Sequence, residues 1–455
     1  MEIFNKIVSV LNDVLWGVPM IIFLLATHII LTFVTRGVQR KVFKGIKLSV
    51  SRNNTGKGDV SVFGALTTAL ASTVGTGNII GVATAITVGG PGAVLWTWLI
   101  GIFGIATKYA ETFIAVKHRK KLSDGSYIGG AMTALKDLNK PLLGTIFALV
   151  TMLAAFGIGC GVQSNAIASM LSNNFAVPKY ISGILLAVLT FIVIFGGIKS
   201  ISNVCTMLVP VMSILYSIGC VVILFIYGDY IPETISLIIS SAFTTKAMAG
   251  GFVGSTVLVA MRYGMARGLF SNESGMGSAP IASAAGAAEN AVKPALVGST
   301  GVFWDTVVIC LLTGLVLCTS VVANPNIDAV MLNDGSALCS ACFASIPYIG
   351  TPILVFGVIT FAYSTILGWN YYATQCVRYL FNDKAVKVYL FIWVVVIFLG
   401  TILDLKAVWN LADVLNALMV IPNVIAVLLL IKEIRKDTDY YLYQNHLDEE
   451  DKELL

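Results

Sequence analysis

Charge is what this sequence has least of: Asp, Glu, Lys and Arg make up 12% of its 455 residues, against about 25% in a soluble domain. A deficit spread along the whole length means that most of the chain has lipid as its solvent. Histidine is scarcer still. The three in the chain, His28, His118 and His446, lie far apart. There is no HExxH pair or other facing catalytic set, which argues against an intramembrane enzyme. Repeated charged rings and a carbonyl-filter sequence are also missing, which argues against a channel. Cysteine offers no metal-ligand spacing. Cys160, Cys205, Cys220, Cys310 and Cys376 fall within or at the ends of apolar segments, while Cys339 and Cys342 share an expected exterior loop. All eight read as free, small apolar side chains. The N-terminus lacks a basic n-region and a cleavage site, so no removed signal peptide is expected.

Hydrophobic residues are plentiful, at 57% with a mean hydropathy of +0.87. A helix needs about 20 apolar residues to cross a bilayer. Spans are predicted at 15–35, 62–87, 92–116, 142–170, 179–198, 205–227, 243–284, 295–321, 349–377, 387–404 and 408–431. Eleven is odd, so the termini lie on opposite sides. Basic runs fill 36–57, including Arg36, Arg40, Lys41, Lys44, Lys47 and Arg52, and 117–121. In so apolar a chain these mark cytoplasmic loops by the positive-inside rule, not a nucleic-acid surface. Loops 36–60, 117–140, 285–294 and 378–387 are therefore cytoplasmic. Loops 228–236 and 322–347, which carry acidic residues but no Lys or Arg, face outward. The expectation is a multi-pass plasma-membrane protein, with the N-terminus outside and the C-terminus inside.

The second and seventh spans do not read as ordinary helices. One holds Ser72-Thr73-Val74-Gly75-Thr76-Gly77-Asn78, the other Ser271-Asn272-Glu273-Ser274-Gly275-Met276-Gly277-Ser278-Ala279-Pro280. Glycine and small polar residues lower the cost of leaving helical geometry. Irregular backbone at membrane depth is tolerated only where protein or a water-filled cavity satisfies it. These segments stand five spans apart, so they enter the membrane from opposite sides, as in an inverted repeat. The chain then divides into an extra helix and basic loop (1–59), a first five-helix repeat broken near 72–80 (60–236), a second, inverted repeat (237–431), and a tail (432–455). The tail is expected to be cytoplasmic and partly disordered.

Unwinding at Val74-Gly75-Thr76-Gly77-Asn78 would present the N–H groups of a half-helix to an anion, and would free the carbonyls of Ala71 and Val74 for a small hard cation. The alternative is close helix packing, since Gly77 and Gly81 have GxxxG spacing. Ser364 and Thr365 can supply oxygen ligands to sodium, or can bond back to their own helix. Trp369 can wall a pocket or sit at the lipid interface. Gln163 and Asn165, mid-span, can accept from a substrate ammonium or bind a neighbouring helix. Glu273, Asp305, Lys108 and Glu111 are ionisable residues near or inside spans, and such groups are functional or paired. Lys108 and Glu111, three apart, can satisfy each other. Asp305 is either a proton or cation site or a tie to the unwound backbone.

These residues resemble the alanine/glycine:cation symporter family, related in fold to the leucine-transporter superfamily. The likeness covers nearly the whole length. It is strongest at Thr73-Val74-Gly75-Thr76-Gly77-Asn78-Ile79, at Arg267-Gly268-Leu269-Phe270-Ser271-Asn272-Glu273 continuing to Gly277-Ser278-Ala279-Pro280, at Phe303-Trp304-Asp305-Thr306 and at Gly368-Trp369. The resemblance implies an all-α protein of eleven transmembrane helices, a 5+5 inverted repeat preceded by one extra helix. It implies sodium-coupled import of small neutral amino acids with no cofactor, the proton being the alternative coupling ion. Thr76 and Gly77 would hold the substrate carboxylate, with Gln163, Thr365 and Trp369 lining the rest of the pocket. Sodium would sit among the carbonyls of Ala71, Val74 and Phe361 and the hydroxyls of Ser364 and Thr365. Where the family has Gly-Asn-Met-Val-Gln, Cys160 and Gly161 replace the Asn and Met. If Gly161 faces the pocket, side chains larger than alanine's should be tolerated.

Overall fold

The computed structural model describes residues 10–12, 14–51, 56–244, 256–328, 334–403 and 406–452. Arg52 and part of the expected seventh span, 245–255, lie outside the described residues. The described chain is helical apart from one short hairpin, β1 (Lys120–Lys121) against β2 (Tyr127–Ile128), and two isolated bridges.

The helices, in order, are α1 (Val18–Val34), α2 (Val42–Ser49), α3 (Val62–Thr73), α4 (Gly77–Gly89), α5 (Gly92–Lys117), α6 (Ala131–Asp137), α7 (Pro141–Phe175), α8 (Lys179–Ile194), α9 (Gly197–Ile226) and α10 (Ile231–Phe243). There follow α11 (Val257–Asn272), α12 (Pro280–Ser283), α13 (Val292–Ala323), α14 (Gly335–Phe343), α15 (Gly350–Leu380), α16 (Asp383–Ile402), α17 (Lys406–Leu429) and α18 (Ile431–Asp437). Among the described residues, seven are long and apolar enough to cross a membrane alone, and two bent pairs, α1 with 38–49 and α3 with α4, qualify together. Four helix starts carry side-chain caps. Ser61, Thr256, Asp334 and Asn382 each accept a hydrogen bond from the first turn of α3, α11, α14 and α16.

Two packed groups emerge. α5 lies against α11 and α13, while α15 lies against α7 and α9, and α8 against α16. α3 touches α9, α13 and α15, so the first broken helix sits between the groups.

Several boundaries differ from the sequence expectation. The fifth span ends at Ile194, not 198, because Gly197 takes φ +67° and turns the chain into α9. That left-handed conformation suits glycine. The outer loop expected at 228–236 holds the start of α10, and the described part of the seventh span begins only at Val257. The segment 322–347, expected as an outward-facing loop, contains α14, where Cys339 and Cys342 are buried on a helix and not in an open loop.

The expectation of a partly disordered tail also fails over its described part. Lys117 pairs with Asp437 at 3.3 Å and Asp451 at 2.6 Å, and Arg36 with Asp439 at 3.0 Å. The Asn290 amide donates to the carbonyls of Leu447 and Glu449. Buried Ile434, Leu442 and Leu447 give the segment an apolar anchor. His118 joins the two sides, 3.1 Å from Asp137 and 3.4 Å from Glu433. Burial alone would lower its pKa, but Glu433 and Asp137 outweigh this and raise it above 6.5. A raised folded-state pKa contributes stability below the unfolded value, lost as pH rises through the folded one. Amide exchange across 431–451 should therefore speed up on going from pH 6 to pH 8 more in this chain than in His118→Gln. Equal pH dependence would remove His118 from the linkage.

Candidate functional site

α3 ends at Thr73, and Val74 leaves helical geometry at ψ 88°. The chain resumes as α4 after a 49° bend. Asn78 stabilises the break by accepting from the Gly75 N–H at 2.8 Å. The N–H groups opening α4, those of Thr76 and Gly77, have no carbonyl one turn earlier in the helix. In the second break, Glu273 at φ 55°, Gly275 at φ 99° and Gly277 at φ 74° carry the chain from α11 to α12. For glutamate this backbone is uncommon and costs energy, which surrounding contacts must offset. The Glu273 carbonyl accepts from Lys108 Nζ at 2.9 Å, and its carboxylate from Ser278 Oγ at 2.6 Å. Glu111 accepts from the Gly275 N–H at 2.8 Å and from the Asn423 amide. Lys108 and Glu111, 3.7 Å apart, thus do more than satisfy each other: they fix the second break to α5 and α17.

Asp305 joins the two breaks. It accepts from Asn78 Nδ2 at 2.7 Å, from Ser271 Oγ at 2.9 Å and from its neighbour Thr306 Oγ1 at 2.6 Å. Three π-helical stretches surround this region, Gly77–Gly81, Ala155–Gly161 and Phe303–Cys310. Such bulges are frequent at functional sites.

The expected pocket residues converge around Gly75. Thr76 Oγ1 donates to Gln163 Oε1 at 3.0 Å, and Gln163 Nε2 donates to the Ile158 carbonyl at 2.9 Å. A Cβ on Gly75 would come within 2.5 Å of Thr365 Oγ1 and 3.7 Å of Gln163 Oε1. At Gly77 a Cβ would lie 3.2 Å from the Phe270 ring, which adds a wall the sequence reading did not assign. Trp369 is buried, with its ring against Tyr372 and its Cβ against Gly159. This is not an interfacial tryptophan.

Thr365 Oγ1 donates across to the Ala71 carbonyl at 3.2 Å and back to the Phe361 carbonyl at 3.0 Å. Ser364 bonds only back to Phe361 O, at 2.9 Å, besides a sulfur contact with Met212. Back-bonding therefore holds for both hydroxyls, and Thr365 alone also reaches the broken helix. Oxygen atoms from α3 and α15 converge here, a donor set that suits a small hard cation.

The structure decides two open points. Gly161 does not face the pocket. It backs onto Gly400 of α16, while Gly159 and Gln163, four apart, share the pocket side. Asn165 donates to the carbonyls of Gly400 and Leu403, and so binds a neighbouring helix. Gly159→Ala is consequently expected to abolish uptake. The added methyl overlaps Trp369 at its Cβ, which no rotamer change can move, and overpacking costs about 1–3 kcal/mol. Initial uptake rate, with elution as a single folded species as the control, decides it. Transport at the parental rate would refute this packing.

A polar cavity of about 500 Å³ opens below the site, lined by Asp59, Asp124, Lys199, Asn370, Gln375 and Arg378 among others. Asn370 lies five residues beyond Thr365 on α15, about 7.5 Å along the helix axis. Beside the cavity, at Asp59, a clasp ties the segment before α3 to the segment after α12. The Asp59 N–H donates to Ala285 O at 2.7 Å and the Ala287 N–H to Val60 O at 2.9 Å. The Arg119 guanidinium donates to the carbonyls of Ala284, Gly286 and Lys57. On the opposite side, α14 covers α4, with Cys339 Sγ 3.7 Å from the Ile79 carbonyl.

The family model described as the sodium:alanine symporter family matches residues 1–454. A transporter of Haemophilus influenzae, itself uncharacterized, is 41% identical over 98% of this chain and 99% of its own. The sodium/alanine symporter AgcS of Methanococcus maripaludis is 42% identical, covering 94% of this chain and 95% of its own. The crystal structure of MhsT in complex with L-phenylalanine superposes with a TM-score of 0.56 at 14% identity, over 82% of this chain and 90% of that one. At that identity the likeness concerns the fold.

Proposed function

Because the chain belongs to the sodium:alanine symporter family, and is thus a sodium-coupled secondary transporter of small amino acids and not an enzyme, we propose that it imports alanine and glycine through the site between its two broken helices. It is an all-α polytopic membrane protein related in structure to the sodium symporters of leucine-transporter fold. We read its topology as eleven spans: the seven long helices, α1, the bent pair of α3 and α4, α8, and α11 with α12. The first span precedes two inverted five-helix repeats, 60–236 and 237–431. The N-terminus is outside, and the C-terminal tail is cytoplasmic.

The observation that carries this reading is the meeting of Thr76, Gln163 and Thr365 around Gly75. In this reading the substrate carboxylate binds at the N–H groups of Thr76 and Gly77, Gln163 orients its polar end, and Trp369 walls the side chain. Sodium takes the oxygens of Ala71, Val74, Phe361, Ser364 and Thr365. With a cation bound there, the Thr365 hydroxyl would turn its proton away and offer its oxygen. One sodium moving down a ~100 mV potential releases ~2.3 kcal/mol, and a tenfold gradient adds ~1.4 kcal/mol. Together these allow roughly 500-fold accumulation.

Uptake of labelled alanine into proteoliposomes under an imposed sodium gradient tests the proposal, with glycine, serine, glutamine and leucine as competitors. Alanine and glycine should compete most strongly. Strong inhibition by leucine, with none by glycine, would overturn the substrate assignment.

A further inference from the structure

The lipid-facing surface between α3, α9 and α13 is not smooth. It holds an apolar groove of about 620 Å³, lined by Ile46, Leu70, Val74, Ser213, Ile214 and Trp304 among others. Along the first broken helix, which starts at the α2 side, the lining runs from Phe63 to Val74, about 17 Å at 1.5 Å per residue. One leaflet's hydrocarbon is about 15 Å deep. The groove is thus long enough to take the whole of an extended chain from one leaflet.

Its mouth is basic. α2 lies on α13, where a Cβ on Gly45 would come within 2.6 Å of the Leu296 carbonyl, and Ile46, Ser49 and Val50 of α2 line the groove. The segment 38–49 is bent by 63° from α1. Phe43 and Val50 are exposed, flanking Lys47 on one face at helical spacing. Such lysines lay their stems on apolar surface and keep the ammonium at the headgroup level. Arg36 pairs with Asp439, and Lys41 lies over the Tyr443 ring. Arg40, Lys44 and Lys47, spaced four and three apart, are exposed, and among the described residues none has an acidic partner. A basic amphipathic segment of this kind is suited to anionic lipid.

We propose that this groove binds one anionic phospholipid, an acyl chain lying between α3, α9 and α13 and the headgroup held by Lys44 and Lys47. Placement in the cytoplasmic leaflet rests on the orientation proposed above. A second copy of the chain is the poorer occupant. A two-fold contact here would set the Arg40, Lys44 and Lys47 row of each copy toward its partner's, and like charges brought together disfavour association. The functional meaning lies at the groove's inner wall. Val74, the residue at which the first helix breaks, lines it, so an acyl chain buttresses the proposed sodium site from the lipid side.

The test is lipid retention by the full-length protein, read by native mass spectrometry after exchange into phosphatidylglycerol or phosphatidylcholine of identical acyl chains. One phosphatidylglycerol per chain should be retained, at least tenfold more than phosphatidylcholine. Lys44→Gln with Lys47→Gln should erase that preference. Ser213→Trp, which fills the groove, should lower retention of both lipids. Equal retention of the two lipids, or retention unchanged in either variant, would overturn the proposal. So would a lipid-free dimer lost in Ser213→Trp. Sodium-driven alanine uptake in vesicles without phosphatidylglycerol should also fall at least threefold in the parent and stay level in Ser213→Trp. Retention needs no transport, so it stands or falls apart from the substrate assignment.

Discussion

Thr365→Val is expected to raise the sodium concentration for half-maximal alanine uptake by roughly ten- to a hundredfold. The substitution keeps the branched shape and the packing of α15, and removes one oxygen. That oxygen bridges the Ala71 carbonyl of the broken helix and the Phe361 carbonyl of α15. A hydrogen-bonding group facing a charge contributes about 1.5–3 kcal/mol, and each 1.4 kcal/mol is about a factor of ten in affinity. Thr365→Ser should restore most of the loss. Ser364→Ala should do less, because the oxygen partner of Ser364 is on its own helix. Sodium titrations of initial uptake rate at fixed alanine separate the three. A Thr365→Val protein with the parental sodium dependence would move the cation elsewhere.

How much of this was legible in the sequence follows from the range of the forces involved. The two breaks were legible because glycine and small polar residues inside an apolar run are a local signal. The pairing of Thr76 with Gln163 and of Thr365 with Ala71 came from resemblance, and the geometry brings both pairs together. The face that Gly161 presents was not legible, because a π-turn shifts it and only contact with Gly400 reveals the shift. The tail was misread for a different reason. Its alternating charges look solvated in isolation, yet Asp437, Asp439 and Asp451 meet basic partners more than 300 positions away. α14 lay hidden in what reads as a polar loop. Its register is set by Asp334 as cap and by packing on α4, where a Cβ at Gly335 would meet the Ile80 carbonyl at 2.7 Å. Phe270 was quoted in the strongest motif without a role, and its place beside Gly77 appears only once the two breaks face each other.

The same facing of the breaks makes Asp305 the residue whose loss should be most damaging. Asp305→Ala would strip the carboxylate acceptor from the buried Asn78, Ser271 and Thr306 at once, leaving Asn78 the carbonyl of residue 305 and leaving Ser271 only a sulfur contact with Cys310. Each buried donor left without a partner costs on the order of 1–3 kcal/mol. The variant should lose several degrees of thermal stability in detergent and all sodium-driven uptake. Asp305→Asn separates the structural role from a charge-carrying one. It keeps the volume and one acceptor oxygen, but turns a donor toward donors. If Asp305 is a tie between the breaks, Asp305→Asn should transport slowly with the parental sodium stoichiometry. Asn78→Asp combined with Asp305→Asn, which returns the donor–acceptor pair in the opposite sense, should then recover part of the rate. Residues in one network couple by about 0.5–3 kcal/mol, enough for such a recovery to be measured. If Asp305 instead carries a coupling charge, the stoichiometry itself should drop in Asp305→Asn, measured as charge moved per alanine. Moving the carboxylate to position 78 would then rescue that ratio only if the ion, and not the tie, had been lost.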